Sequence, residues 1–439
     1  MKYALAIDIG ASSGRHIIGW VRNGRIITEE IYRFSNGMIK KDEHLIWDVN
    51  HLFSEIINGL KKAKELNKIP ETVGIDTWAV DYALLDENDN LIGDVYAYRD
   101  NRTLNVIDKL HDVIPHSKLY ELTGIQYQPF NTIYQLFEDK FSHRIDTAKS
   151  FLMLPDYLNF LLTGEKRQEY TNATSTGMVN AKNRTWDAEI LSTLNLDRGL
   201  FKKLSMPGTT VGNFKKEIKG MLGYDAKVVL PATHDTASAV EALEIEDEPY
   251  ISSGTWSLLG IKIEEAKTDE NSQLGNWSNE GGINYFRYQK NIMGMWIIQR
   301  LKEELCPKTD FITIADMAQK SQLKVHINAN DQSLFAPKSM KEAFDNLLKK
   351  EDIEVKDAAD YFQIAYLSLA YSYKEAIEDL EKNLSRKFSK IYIVGGGAKN
   401  KYLNKLTEDI CKIQVVAIPI EATAIGNLKI QLNLNKNKE

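Results

Sequence analysis

Three segments of small residues stand at the ends of short apolar runs: Gly10-Ala11-Ser12-Ser13-Gly14, Ser252-Ser253-Gly254-Thr255 and Gly395-Gly396-Gly397. Such segments let backbone N–H groups converge on a phosphate, because no bulky side chain holds the anion away. Each one alone is equally an ordinary tight turn; three at strand ends, two of them in matching places, point toward phosphate chemistry. Neither a G-x-x-x-x-G-K-[ST] sequence nor a G-x-G-x-x-G after a strand occurs in the 439 residues, which excludes the P-loop and dinucleotide-binding fingerprints. Asp8 lies two residues before the first turn, among Ala6, Ile7 and Ile9. A carboxylate in such a run must be hydrogen-bonded or sit near a cation, and Mg²⁺ held through water beside phosphates meets that need. Arg15 could clamp a phosphate or pair with a nearby acid. His234-Asp235 follows the apolar run 228–230 and opens a helix-forming stretch. Asp is a preferred N-cap there; it could equally be a general base aimed into a cleft, and His234 could be that base instead. The aromatic stretches 77–82 and 126–131 suit either a sugar face or ordinary core packing.

Tyr3 to Ile9, His16 to Val21 and Arg25 to Phe34 read as three meandering strands, with Asn23-Gly24 as a two-residue hairpin turn. A helical period follows from His51 to Glu65, then a short buried strand at Val73 to Thr77. Val80 to Leu85 and Leu91 to Tyr96 read as strands flanking a polar turn. Val228 to Leu230 is a strand leading to Asp235, and Thr236 to Leu243 is helix-forming. Near residue 245 the plan of the first 21 residues recurs: a strand at Tyr250 to Ser252, a turn, and a strand from Trp256 to Ile263. That recurrence suggests two related halves. The second half closes with a helix (Ala358 to Lys382), a strand (Lys390 to Val394), the glycine triplet, a helix (Asn400 to Cys411), a strand (Gln414 to Pro419) and a last helix (Ala424 to Leu432). Strands alternating with helices argue for an α/β protein with mixed sheets. The polar tail Asn433 to Glu439 reads as frayed.

Lys+Arg number 55 and Asp+Glu 61, a net charge of −6, so nothing electrostatic favours nucleic acid or an anionic membrane as partner. Cys306 and Cys411 form no zinc or disulfide framework and read as reduced thiols. Asp8 interrupts the N-terminal apolar run too early for a secretory signal, and no stretch reaches the ~18 apolar residues of a membrane span. A cytoplasmic location is the expectation.

The strings Asp8-Ile-Gly-Ala-Ser-Ser-Gly-Arg15, Gly74-Ile-Asp-Thr-Trp78, Tyr98-Arg-Asp100, Pro129-Phe-Asn-Thr132, Tyr170-Thr-Asn-Ala-Thr174, His234-Asp-Thr-Ala-Ser-Ala239, Ser252-Ser-Gly-Thr-Trp-Ser257, Asn291-Ile-Met-Gly294, Gly395-Gly-Gly397 and Glu421-Ala-Thr-Ala-Ile-Gly-Asn427 resemble the FGGY carbohydrate kinases, over nearly the whole chain. The resemblance implies an α/β fold of two ribonuclease H-like, actin-like ATPase domains flanking a deep cleft. Residues 1–242 would form the sugar-binding half with the first phosphate loop and the base, and 243–439 the nucleotide half. It further implies ATP-dependent phosphorylation of L-rhamnulose on its 1-hydroxyl, giving L-rhamnulose 1-phosphate and ADP with Mg²⁺, in L-rhamnose breakdown, by a monomer or homodimer. By position, Asp235 is the general base, and Ala79, His234, Thr236 and Asn291 hold the ketose. Ala11, Ser12, Ser13, Gly14, Arg15 and Thr255 line the ATP phosphates, Gln299 and the Gly396 loop meet the nucleotide, and Asp8 holds Mg²⁺ through water. Ala79 departs from the glycine usual there, which leaves L-fuculose or L-xylulose open as substrate. The family pattern normally continues some tens of residues past Asn427, so the resemblance also implies a C-terminal half shortened at its end and, as an alternative, an inactive kinase.

Overall fold

The computed structural model describes residues 2–245, 247–418 and 421–433. All but the first residue of the tail read as frayed lies outside the described residues. The chain forms two compact units: Met1–Glu244 with Ile263–Tyr288 and Glu421–Glu439, and Ile245–Lys262 with Gln289–Ile420.

The first unit is built on a six-stranded sheet. Its strands are β1 (Ala4–Ile9), β2 (Ser13–Arg22), β3 (Arg25–Ser35), β4 (Thr72–Thr77), β5 (Thr210–Asn213) and β6 (Lys227–Val229), in the order β5-β6-β4-β1-β2-β3. Every residue of β1 is buried, which is why it reads as an unbroken apolar run: a central strand is covered on both faces. β1, β2 and β3 pair antiparallel. Arg22 faces Arg25 across a two-residue loop in which Asn23 and Gly24 have φ of 51° and 73°, the primed-turn geometry that their sequence predicts. β4 pairs parallel with β1, and β6 parallel with β4. A parallel return needs a crossover; the helix Val49–Glu65 supplies it, capped by Asp48 and burying Leu52, Ile56, Leu60 and Ala63 at helical spacing. His16 is fully enclosed beneath it, its Nε2 3.3 Å from the Ile56 carbonyl, and burial holds it neutral with a pKa lowered to about 3.

In the second unit, β7 (Tyr250–Ser253) pairs antiparallel with β8 (Trp256–Ile263) and parallel with β10 (Lys390–Val394), which pairs parallel with β11 (Gln414–Ala417). β9 (Phe286–Met293), whose residues from Gln289 on belong here, lies beyond β8, giving the order β9-β8-β7-β10-β11. This repeats β3-β2-β1-β4-β6, with matching directions wherever the pairing is described, and it is the structural counterpart of the recurrence in the sequence. The 27-residue helix Ala358–Leu384 forms much of this unit's core.

Three segments differ from their sequence-based outlines. Only Val95–Tyr96 of the expected strand Leu91–Tyr96 is a strand, Leu91 contributing an isolated bridge to Leu85. The expected strand from Val80 begins at Tyr82, because Val80 turns at φ 69°. The final helix spans Ala422–Gln431 and packs in the first unit, with Gln431 Nε2 donating to the Leu5 carbonyl at 3.0 Å.

Candidate active site

The C-terminal ends of β1, β4 and the segment after β6 converge. Asp8 and Asp76 are register partners on adjacent parallel strands, and Thr77 N–H donates to the Thr233 carbonyl at 2.9 Å, which brings His234-Asp235 alongside. In open α/β sheets, this is the edge where ligands are bound. Asp8 and Asp76 are both buried. Burial raises the Asp8 carboxyl; Arg15 opposes that rise, while the charge of Asp235 adds to it. Asp76 stands well above the usual carboxylate range, first through burial and then through the charge of Asp8, with Asp235 adding to it; a hydrogen bond from Asn427 works against the rise. Three acidic side chains therefore share one electrostatic neighbourhood, in which burial and mutual repulsion disfavour the charged forms and a cation would favour them.

Arg15 Nη2 donates to Asp8 Oδ2 at 2.8 Å, and Nη1 donates to Glu421. Arg15 thus pairs with acids on β1 and beside the final helix. The turn before it is pinned from β3's end: Asn36 N–H donates to the Ser12 carbonyl at 3.0 Å and Asn36 Nδ2 to the Gly10 carbonyl at 2.9 Å. Ser12 is exposed, and Ala11, Ser13 and Arg15 are half-buried. Among the described residues, no group of three His, Cys, Asp or Glu side chains is placed to hold a metal ion directly.

Asp235 is the first residue of the helix Asp235–Glu241. Its side chain is 32% exposed while that of His234 is 8% exposed, so the carboxylate is presented and the imidazole enclosed. Asp235 Oδ1 accepts from Thr236 N at 2.5 Å and Oγ1 at 3.2 Å, and lies 3.4 Å from His234 Nε2. On its other side, His234 Nδ1 is 3.0 Å from Glu280 Oε2.

Ala79 is half-buried in the turn after β4. The rings near it divide into two groups. Trp47 and Trp78 pack with centroids 4.0 Å apart and ring planes tilted by 38°, and are core residues. Asp81 joins them: its Oδ2 accepts from Trp47 Nε1 at 2.6 Å, Trp78 Nε1 at 2.8 Å and Tyr98 N at 3.2 Å. Burial raises the Asp81 pKa to about 6 against these donors. Tyr98 and Phe130, 5.6 Å apart, stay half-exposed and offer ring surface. Of the aromatic stretch 77–82, then, the tryptophan is packing.

The second unit carries Asn291, Thr255, Gln299 and Gly396. The loop after β7 is tied to a helix start: Met295 N–H donates to the Gly254 carbonyl at 2.9 Å and Trp296 N–H to the Thr255 carbonyl at 3.2 Å. Thr255 is exposed, and Gln299 stands one turn into the helix Trp296–Leu305. Gly294 permits this seam, since a Cβ there would lie 2.6 Å from the Trp256 carbonyl carbon. Gly395 turns at φ 82° with its Cα face against the Ser253 backbone, while a Cβ on Gly396 would meet open space. The first unit holds Asp8, Ala11 to Arg15, Ala79 and His234 to Thr236. Among the buried ionisable residues that sequence reading left without a role, Asp76, Asp81, Glu280 and Arg287 lie beside these groups. For Asp76 and Asp81 the signal available was a charge inside an apolar run, the same signal that singled out Asp8; Glu280 and Arg287 lie in largely polar stretches and gave none.

Models of the FGGY family of carbohydrate kinases match residues 3–241 with the N-terminal domain and 249–433 with the C-terminal domain. A protein named rhamnulokinase from Oceanobacillus iheyensis is 42% identical over 98% of this chain and 92% of its own length. Another of the same name from Bacillus subtilis is 40% identical over 97% and 89%. Among solved structures, a ligand-bound xylulose kinase from Lactobacillus acidophilus superposes with TM-score 0.84 over 100% of this chain and 91% of its own, at 18% identity. A gluconate kinase from the same organism gives 0.83 at 17%, over 100% and 90%. Two sheets of one topology, a partly exposed carboxylate at a helix start, and family matches to both halves lead to one conclusion: this chain belongs to the FGGY family of carbohydrate kinases.

Proposed function

We propose that this chain transfers the terminal phosphoryl group of ATP to the 1-hydroxyl of L-rhamnulose, giving L-rhamnulose 1-phosphate, ADP and a proton. Relatives that bear the name rhamnulokinase and match at about 40% identity end to end support the choice of ketose. The observation that carries the chemistry is Asp235: a presented carboxylate at a helix start, within electrostatic reach of Asp8 at the ends of parallel strands.

The hydroxyl oxygen attacks the γ-phosphorus, the bond from that phosphorus to the β–γ bridging oxygen breaks, and Asp235 accepts the hydroxyl proton. Phosphoryl transfer is mostly positioning and charge stabilisation. Backbone amides of Ala11 to Gly14, with Arg15, would line the phosphates. Thr255, Gln299 and the Gly396 loop would hold the nucleotide. His234, Thr236, Asn291 and the backbone at Ala79 would hold the ketose, with Tyr98 and Phe130 offering ring faces. The acidic neighbourhood of Asp8 fits a magnesium ion held through water, which when bound would offset phosphate charge. In this reading residues 1–242 carry the base, the first phosphate loop and most of the sugar contacts, and 243–439 the nucleotide contacts with Asn291, although Ile263–Tyr288 and Glu421–Glu439 of that half fold with the first unit. A cytoplasmic place accords with substrates of this kind, and among the described residues no helix is long and apolar enough to cross a membrane.

A coupled ADP-release assay with L-rhamnulose, L-fuculose and L-xylulose tests the substrate. Highest kcat/KM on L-rhamnulose is the expected result, and a higher value on either other ketose would overturn it. Asp235→Asn is expected to lose about 10²–10⁴ in kcat while ATP binding, followed by calorimetry, persists. Near-parental turnover in that variant would remove Asp235 from the role of base.

A further inference from the structure

Behind His234 lies an ion pair that the transfer reaction above does not use. Ser278–Gly281 and the start of β9 form a hairpin in the first unit, closed by Gly282 N–H donating to the Tyr285 carbonyl at 2.9 Å. It carries Glu280 and Arg287 inward. The Arg287 side chain has no exposure at all and that of Glu280 is 7% exposed. Arg287 Nη2 donates to Glu280 Oε2 at 3.1 Å, and Nε donates to the Gly281 carbonyl at 3.2 Å. The same Glu280 oxygen is 3.0 Å from His234 Nδ1, and Arg287 Nη2 is 3.2 Å from that nitrogen. His234 Nε2 then lies 3.4 Å from Asp235 Oδ1.

A pair this enclosed is a poor source of stability, because removing both charges from water offsets most of their attraction. Its placement has another consequence. Glu280 and Arg287 together hold Nδ1 from behind, which fixes the plane of the His234 ring. Nε2 is thereby directed to the side where Asp235 emerges. Arg287 satisfies the same Glu280 oxygen and fixes the carboxylate from behind with its planar fork. We propose that Glu280 and Arg287 are positioning residues which act through His234: they set the orientation of its ring so that Nε2 hydrogen-bonds a ketose hydroxyl and holds the sugar against Asp235. The inference rests on Asp235 and His234 serving the ketose site as read above.

The test uses the full-length chain with ATP and L-rhamnulose, in steady state, for the parent, Glu280→Gln, His234→Asn and the double variant. Parental turnover of L-rhamnulose comes first; its absence would refute the substrate reading and leave this one to be tested on whichever ketose is turned over. Glu280→Gln is expected to lower kcat/KM for the ketose by about 10–100-fold, the scale of a misplaced reacting group, with KM for ATP unchanged. In the His234→Asn background, the same change is expected to have less than a threefold effect, because the residue it acts through is gone. Equal losses in both backgrounds, or parental kinetics in Glu280→Gln, would overturn the proposal. Glu280→Asp, which keeps the charge, is expected to retain more turnover than Glu280→Gln at a matched melting temperature. If activity instead follows melting temperature alone across the set, the pair is structural. If Glu280→Gln does not fold, Arg287→Lys, which keeps the charge and loses the fork, carries the same comparison in the two backgrounds.

Discussion

Replacing Gly426 by alanine strikes the joint that holds Asp235, the proposed base. Gly426 lies on the helix Ala422–Gln431, where it crosses the helix that begins at Asp235. A Cβ at this position would lie 1.7 Å from the Ser238 carbonyl oxygen, 2.7 Å from the Ser238 carbonyl carbon and 3.2 Å from the Ala242 nitrogen. Ordinary contacts need about 3.5 Å, so the two helices must part by roughly 1.5–2 Å. The obstacle is backbone and has no rotamer to escape into. The final helix is anchored on the other side, with Asn427 Nδ2 donating to the Gly74 carbonyl at 3.1 Å and to Asp76 Oδ2 at 2.6 Å, and Gln431 reaching Leu5. The helix of Asp235 therefore takes up the displacement. Overpacking of this kind costs about 1–3 kcal/mol, a fall of a few degrees in melting temperature for a chain this long. Moving a reacting group by ~1 Å costs about 10²-fold in rate, so kcat is expected to fall further than the folded fraction. Calorimetry and the ADP-release assay read the two effects. Gly220→Ala is the control, because a Cβ there meets nothing within 4 Å. A Gly426→Ala protein that melts with its parent and keeps kcat within twofold would refute the reasoning.

Asp81 makes stability depend on pH. Its folded pKa of about 6 exceeds the ordinary 3.8, so the folded chain binds this proton more tightly; the stabilisation is complete below pH 3.8 and is lost as pH rises through 6, about 3 kcal/mol in all. Urea denaturation of parent and Asp81→Asn should therefore show the parent's relative advantage shrinking by about 2 kcal/mol from pH 4 to pH 7.5, and a difference that does not change with pH would disprove it. Ala79→Gly is expected to change KM for the ketose several-fold and leave KM for ATP within twofold; if neither moves, residue 79 is outside the sugar site.

Much of the frame is legible without coordinates. The buried β1, the Asn23-Gly24 hairpin and the recurrence near residue 245 are local patterns: an apolar run, a pair of residues that tolerate positive φ, and a strand-turn-strand plan. Asp8 and Asp235 stood out for the same reason, acidic residues at the ends of apolar strands. Arg15 shows where such reading stops. Its sequence allowed a phosphate or an acid, and the structure pairs it with Asp8 and with Glu421, 406 positions away.

Order along the chain thus determined which strands form, which turns can admit a phosphate and which carboxylates are candidates, because those properties are fixed within a few residues. Only the tertiary structure decided that the last helix belongs with the first sheet, that Asp76 crowds Asp8, and that Glu280 and Arg287 stand behind His234. Those outcomes depend on which surfaces remain to be buried after the local elements have formed. A sequence pattern says that a face is apolar or that a charge needs a partner; it does not say which distant segment will supply it.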